Sequence, residues 1–260
     1  MAKYIAHASI GENGKVSGGK AGDQTGKEVC IRTWYSKPWG YVLRIKNEYV
    51  RKQFANNMIG IAQNNNVGYD QSNRNSLLTE AIKVNFDFTK IKNKCEADCS
   101  SSVTIALLGA IYKVLGKKEY EKAKKVLYCG NNCRTTSTLR SGLNTLKMID
   151  VFNSKAYVGG TSKLFYGDIL IKEGSHVVCY IDNMKKRKVN ISSNTSGCYK
   201  KDTSKSLKID VVFKNVGAPY GNVSKRKPVA LKNGCSNYKG SQLDNLKLVS
   251  LAKLGKLKKV

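Results

Sequence analysis

The feature that most constrains the fold is the run over residues 99–114. Val103, Ala106, Leu107, Ala110, Ile111 and Val114 recur at helical spacing, and Gly116 follows as a stop signal. This predicts a helix with an apolar face that other elements must cover. Residues 46–64 repeat the spacing through Val50, Phe54, Met58, Ile61 and Ala62, and residues 72–85 through Leu77, Leu78, Ala81 and Ile82. Residues 138–148 read as a further short helix. The period then changes. Residues 167–171 and 176–181 are short β-rich runs around a turn, and residues 188–191 read as a third strand. Residues 1–45 read as Gly-rich turns and loops, with short strands at 29–35 and 41–45. Helices followed by a meander indicate an α+β fold.

A chain of 260 residues fills one large domain or two small ones, at roughly 150 residues per domain. From Asn194 onward the sequence loosens into Ser, Lys, Asn and Gly, so the expected division is residues 1–194 and a basic extension, 195–260. Within the extension, residues 211–213 and 228–231 are candidate strands. The leucines of residues 246–260 scatter on a helical wheel, which does not describe a membrane-active helix. Hydrophobic residues make up 41% of the chain, enough for a packed core, which excludes wholesale disorder. No apolar run approaches the ~18 residues of a membrane span. Residues 1–14 lack the apolar stretch of a secretory signal, so a cytoplasmic location before any release to the outside is the expectation.

Lys and Arg number 46 against 18 Asp and Glu, a formal charge of +28. Such a balance implies an anionic partner: nucleic acid, an anionic membrane surface or an anionic wall polymer. No RNP-like aromatic motif, zinc-finger spacing or basic-region heptad accompanies it. Eight cysteines are too sparse for a small disulfide scaffold, and reduced thiols are the default. Cys95/Cys99 and Cys129/Cys133 share a C-x3-C spacing, which on helices would put each pair on one face. A basic, zinc-containing nucleic-acid-binding protein is therefore one candidate reading.

The alternative chemistry centres on Cys99, in Asp98-Cys99-Ser100 at the start of the strongest helix. Free N–H groups at a helix N-terminus favour a thiolate and can donate to the oxyanion of a tetrahedral intermediate. A cysteine nucleophile also needs a base. The chain has two histidines. His176 opens an apolar strand after a tight turn, whereas His7 sits in a stretch that reads as a loop. A helix-start cysteine with a strand-borne histidine is the papain-type arrangement.

Asp98-Cys99-Ser100, Gly167-Asp168-Ile169-Leu170 and His176-Val177-Val178, in that order, resemble the NlpC-type, papain-like cysteine peptidases that hydrolyse peptidoglycan. The stretch from Gly18 to Cys30, with Trp34-Tyr35 and Pro38-Trp39, resembles more narrowly the cell-wall hydrolases of phages and prophages of Gram-positive bacteria. The resemblance covers about residues 1–190. It implies a papain-like fold with Cys99 as nucleophile and His176 as general base, and no metal or cofactor. It places Asp98 and Ser100 at the free amine of the stem peptide. The third polar residue falls on the strand after the histidine strand, at Asn190, with Asp182 as substitute. Ser101 stands where many members have Gly. The implied function is a phage-type endolysin, released by a holin, that cuts the D-glutamyl link to the diamino acid. The related CHAP amidases make an N-acetylmuramoyl-L-alanine amidase the alternative, and a wall-binding protein with a dead active site is another. Gly221-Asn222-Val223 and the segment from Lys232 to Tyr238 resemble an SH3-type wall-binding module. The expected partners are peptidoglycan and anionic wall polymers, with no obligate nucleic acid.

Overall fold

The computed structural model describes residues 2–182 and 198–260, and the chain separates into two compact units, residues 1–186 and 187–260. In the first unit the order is β1 (Tyr4–Ala8), β2 (Val29–Thr33), β3 (Tyr41–Ile45), α1 (Glu48–Ala62), β4 (Val67–Tyr69), α2 (Ser76–Lys83), β5 (Cys95–Ala97), α3 (Cys99–Leu115), α4 (Lys117–Leu127), β6 (Tyr128–Cys129), β7 (Asn132–Cys133), α5 (Leu139–Thr145), β8 (Ile149–Phe152), α6 (Lys155–Val158), β9 (Ile169–Lys172) and β10 (His176–Asp182). The fold is α+β. A six-stranded sheet runs in the order β2-β1-β10-β9-β3-β8, and every neighbouring pair in it is antiparallel.

The chain order corrects the sequence reading in one respect. Three strands precede the helices, and β1 occupies a stretch read as a loop. That strand lies between β2 and β10, and Ile5, Ala6, His7 and Ala8 are all buried. A strand covered on both faces shows no alternation of polar and apolar residues. The expected strand at 188–191 lies outside the described residues.

Helix α3 is the centre of the unit. It packs against α1, α4 and β10. The expected single apolar face is in fact burial all round, continuous from Cys99 to Ile111 and including Ser100, Ser101, Ser102 and Thr104. A helix enclosed on every side needs no polar stripe. Its start is fixed by a capping box: the Asp98 carboxylate accepts from Ser101 N–H, and the Ser101 hydroxyl accepts from Asp98 N–H. Its end is Gly116, at φ 89°.

The Gly-Asp-Ile-Leu motif proves to be a hinge piece of the sheet. Gly167 has φ 88°, and a Cβ there would lie 2.4 Å from the Arg51 carbonyl oxygen. Asp168 is fully buried; it accepts from Phe165 N–H and from Arg44. These contacts set the entry of β9 and, through the turn that follows, the position of His176.

The described part of the second unit contains α7 (Ile209–Val216), α8 (Val223–Lys232) and α9 (Gln242–Lys253). Helices replace the strands expected at 211–213 and 228–231, and an SH3-type module is a strand architecture. Runs of three or four apolar residues carry no usable period, so propensity alone misplaced them. Val212, Phe213, Val229, Leu248 and Leu257 are fully buried in the core of this unit. Among the described residues no helix is long and apolar enough to cross a membrane.

Candidate active site

Cys99 is the first residue of α3 and is buried. The backbone N–H groups of Val177 and Ser100 are turned to favour its thiolate form. Val177 is the residue after His176, so the start of α3 meets the start of β10. Burial dominates the thiol's electrostatics. It pushes Cys99 up to about 12, helped by the Asp98 charge, while the two N–H groups and Arg74 pull the other way. The helix N-terminus was expected to favour a thiolate; desolvation outweighs it here.

His176 stacks on Trp39, with ring centroids 6.2 Å apart and planes at 26°. Burial lowers its pKa to about 4, and the charges of Lys37 and Arg32 add to this. Cysteine and histidine are therefore neutral at pH 7. Tyr35 lies edge-on to His7 and near Trp39. Burial raises the Tyr35 phenol, and Arg32 partly offsets this. Tyr35 and Trp39 thus lay aromatic surface against His7 and His176.

His7 is the residue that the sequence reading set aside. Its Nδ1 lies 3.3 Å from His176 Nε2, and the ring is 2% exposed. Burial, then His176 and Arg32, lower its pKa to about 3. The pairing of β1 with β10 brings together two residues 169 positions apart. The available signal was Tyr4-Ile5-Ala6-His7-Ala8, a short apolar run carrying one of only two histidines. Across β1 and β2, His7 pairs with Cys30, whose sulfur is 3.6 Å from His7 Nε2.

The other expected site residues are placed as follows. Asn190 lies outside the described residues. Asp182 ends β10, at φ 57°, and forms an ion pair with Lys3. Asp98 and Ser100 are both buried and engaged with Arg74, which donates to the Ser100 hydroxyl at 2.7 Å and to Asp98 at 3.2 Å. Arg74 also donates to the carbonyl of Cys133. A guanidinium already occupies the carboxylate expected to receive a substrate amine.

The two C-x3-C pairs do not form helical faces. Cys95 is on β5 and Cys99 on α3, while in the hairpin of β6 and β7 Cys129 lies opposite Asn132 and Cys133 opposite Tyr128. Among the described residues all eight cysteines are free thiols, and no group of three or more His, Cys, Asp or Glu side chains is placed to hold a metal ion.

The Gly-rich stretch is a pinned loop. Glu28 accepts from the N–H groups of Gln24 and Tyr69, and Asp70 accepts from those of Gly18, Ser72 and Asn73. Buried carboxylates are tolerated when backbone N–H groups surround them. The loop is thereby fastened to the segment that follows β4, close to the phenol of Tyr69, which burial and then the Cys99 charge raise to about 12.

No curated protein and no solved structure matches the chain. The endolysin-like domain family matches residues 5–187, which run from within β1 to beyond β10 and include Cys99, His176 and His7, and the chain belongs to that family.

Proposed function

We propose that the first unit is a cysteine-dependent peptidoglycan hydrolase of the NlpC type, with Cys99 as nucleophile, His176 as general base and His7 as the residue that orients His176. The observation that supports this reading is that the backbone N–H of Val177, the residue after His176, acts on the Cys99 thiol, while His176 itself lies 3.3 Å from His7. Membership of the endolysin-like family supports a cell-wall substrate.

The reaction starts from neutral partners. As the sulfur attacks the carbonyl carbon of a stem-peptide amide, His176 removes the thiol proton. The carbonyl oxygen becomes an oxyanion beside the N–H of Cys99 at the head of α3. His176 then delivers its proton to the departing amine, leaving a thioester. Water, activated by His176, releases the acid and restores the thiol. His176 Nε2 faces His7, so Nδ1 is the nitrogen left for the thiol. His7 takes the orienting role that the family resemblance gave to Asn190. Asp98 and Ser100, tied to Arg74, hold the start of α3 and thereby the position of Cys99. The bond assigned is the D-glutamyl link to the diamino acid, with the N-acetylmuramoyl-L-alanine amide as alternative.

Digestion of purified Gram-positive peptidoglycan, followed by mass spectrometry, tests the proposal. Wild type is expected to release fragments with new amino termini whose masses name the bond. Cys99→Ala and His176→Ala are expected to release none. Equal release by all three proteins defeats the assignment, and stoichiometric zinc with indifference to His176→Ala favours the nucleic-acid reading.

A further inference from the structure

We propose that Cys30 is a positioning residue for this site: its sulfur accepts the Nε2–H of His7 and so aims the chain Cys30–His7–His176 to leave His176 with an unprotonated nitrogen toward the nucleophile. The inference rests on the proposed roles of Cys99 and His176.

The geometry leaves two self-consistent arrangements of protons. A neutral imidazole carries one N–H, and its other nitrogen is an acceptor. His7 uses Nδ1 toward His176 Nε2 at 3.3 Å and Nε2 toward the Cys30 sulfur at 3.6 Å. In the first arrangement the Cys30 thiol donates to His7 Nε2. His7 then carries its proton on Nδ1 and donates it to His176 Nε2. That forces the His176 proton onto Nδ1, and a nitrogen already bearing hydrogen takes no proton from a thiol. In the second arrangement His7 Nε2–H donates to the Cys30 sulfur, His7 Nδ1 accepts from His176 Nε2–H, and His176 Nδ1 is free to act as base. The difference between a competent and an incompetent base is therefore set at Cys30, two links away from it.

Burial selects the second arrangement. Cys30 is only half-buried, so its S–H can turn to water, whereas His7 is enclosed and must find a partner for its second nitrogen inside the protein. The cross-strand pairing of His7 with Cys30 holds the contact in register.

Imidazole nitrogen NMR on the full chain reads the arrangement directly, because only two histidines contribute. In wild type at pH 7, both His7 and His176 are expected to carry hydrogen on Nε2. In Cys30→Ala, His7 is expected to lose that preference. On a soluble stem-peptide substrate kcat should fall about tenfold with KM unchanged, the direction expected when a base loses its tautomer control. Cys30→Ser keeps an acceptor and is expected to retain both the tautomer and kcat. Hydrogen on Nδ1 of His7 in wild type overturns the proposal, as does Cys30→Ala with tautomer and kcat both unchanged. The NMR reading does not depend on turnover. Failure of the nucleophile assignment would show instead as lysis by Cys99→Ala, with the His7 tautomer unaffected.

Discussion

At the scale of single residues, the site is governed by desolvation. Cys99 has the helix start, two backbone N–H groups and Arg74 in favour of its thiolate, and its pKa is still about 12. His176, buried against Trp39, falls to about 4. An ion pair formed in advance would react quickly with alkylating agents at neutral pH; a neutral pair does not. Iodoacetamide at pH 7 is accordingly expected to modify exposed Cys129 well before Cys99, by mass spectrometry of the digested protein. The sign follows from the thiol: because its pKa is raised, Cys99 labelling should climb as pH increases above 7. Preferential labelling of Cys99 at pH 7 contradicts the neutral pair. The same balance applies to His176. Its lowered pKa keeps it available as a base in mildly acidic solution, where an unperturbed histidine near 6.5 would already be protonated.

At the scale of elements, the sheet depends on a few backbone positions that tolerate one residue type. Gly167 is the clearest, since it combines φ 88° with the close approach of the Arg51 carbonyl. Gly167→Ala is expected to cost about 2 kcal/mol or more in chemical unfolding, and to lower activity with it because β9 and the His176 turn move together. A change within experimental error would show that the turn relaxes freely. This position also indicates what the sequence could disclose. Elements with a clear period or a compact apolar run were legible: α3 agrees with its expected bounds to within one residue at its end, and β9 and β10 fall within two residues of the β-rich runs at 167–171 and 176–181. The places of Cys99 and His176, at a helix start and a strand start, were legible because both are local features. His7 was not, because β1 is short, buried on both faces and followed by a Gly-rich loop, so nothing local distinguishes it from a turn. Its importance comes from a neighbour 169 residues away. The tail was misjudged for a related reason: Val211 to Phe213 has no period until the helix around it is known.

At the scale of the whole molecule, the charge of +28 is distributed over both units. On α4 the exposed face carries Lys117, Lys118, Lys122 and Lys125. Surface charges of this kind attract polyanions over a distance that salt sets, about 10 Å at 0.1 M. Retention on teichoic-acid-bearing walls is expected to fall steeply as NaCl rises from 0.05 to roughly 0.5 M, and walls stripped of the polyanion should retain less at low salt. Retention indifferent to both points to a salt-independent contact instead.

The position of β1 carries a further consequence. His7 and His176 are 169 residues apart, so almost the entire first unit is made between them. Pairing between such distant segments is slow, because a long loop must close before any contact rewards it. A chain in which β1 has not yet paired with β10 would hold Cys99 and His176 without the strand that bears His7. On the proposed roles, the site is complete only once these two distant segments of the unit have met.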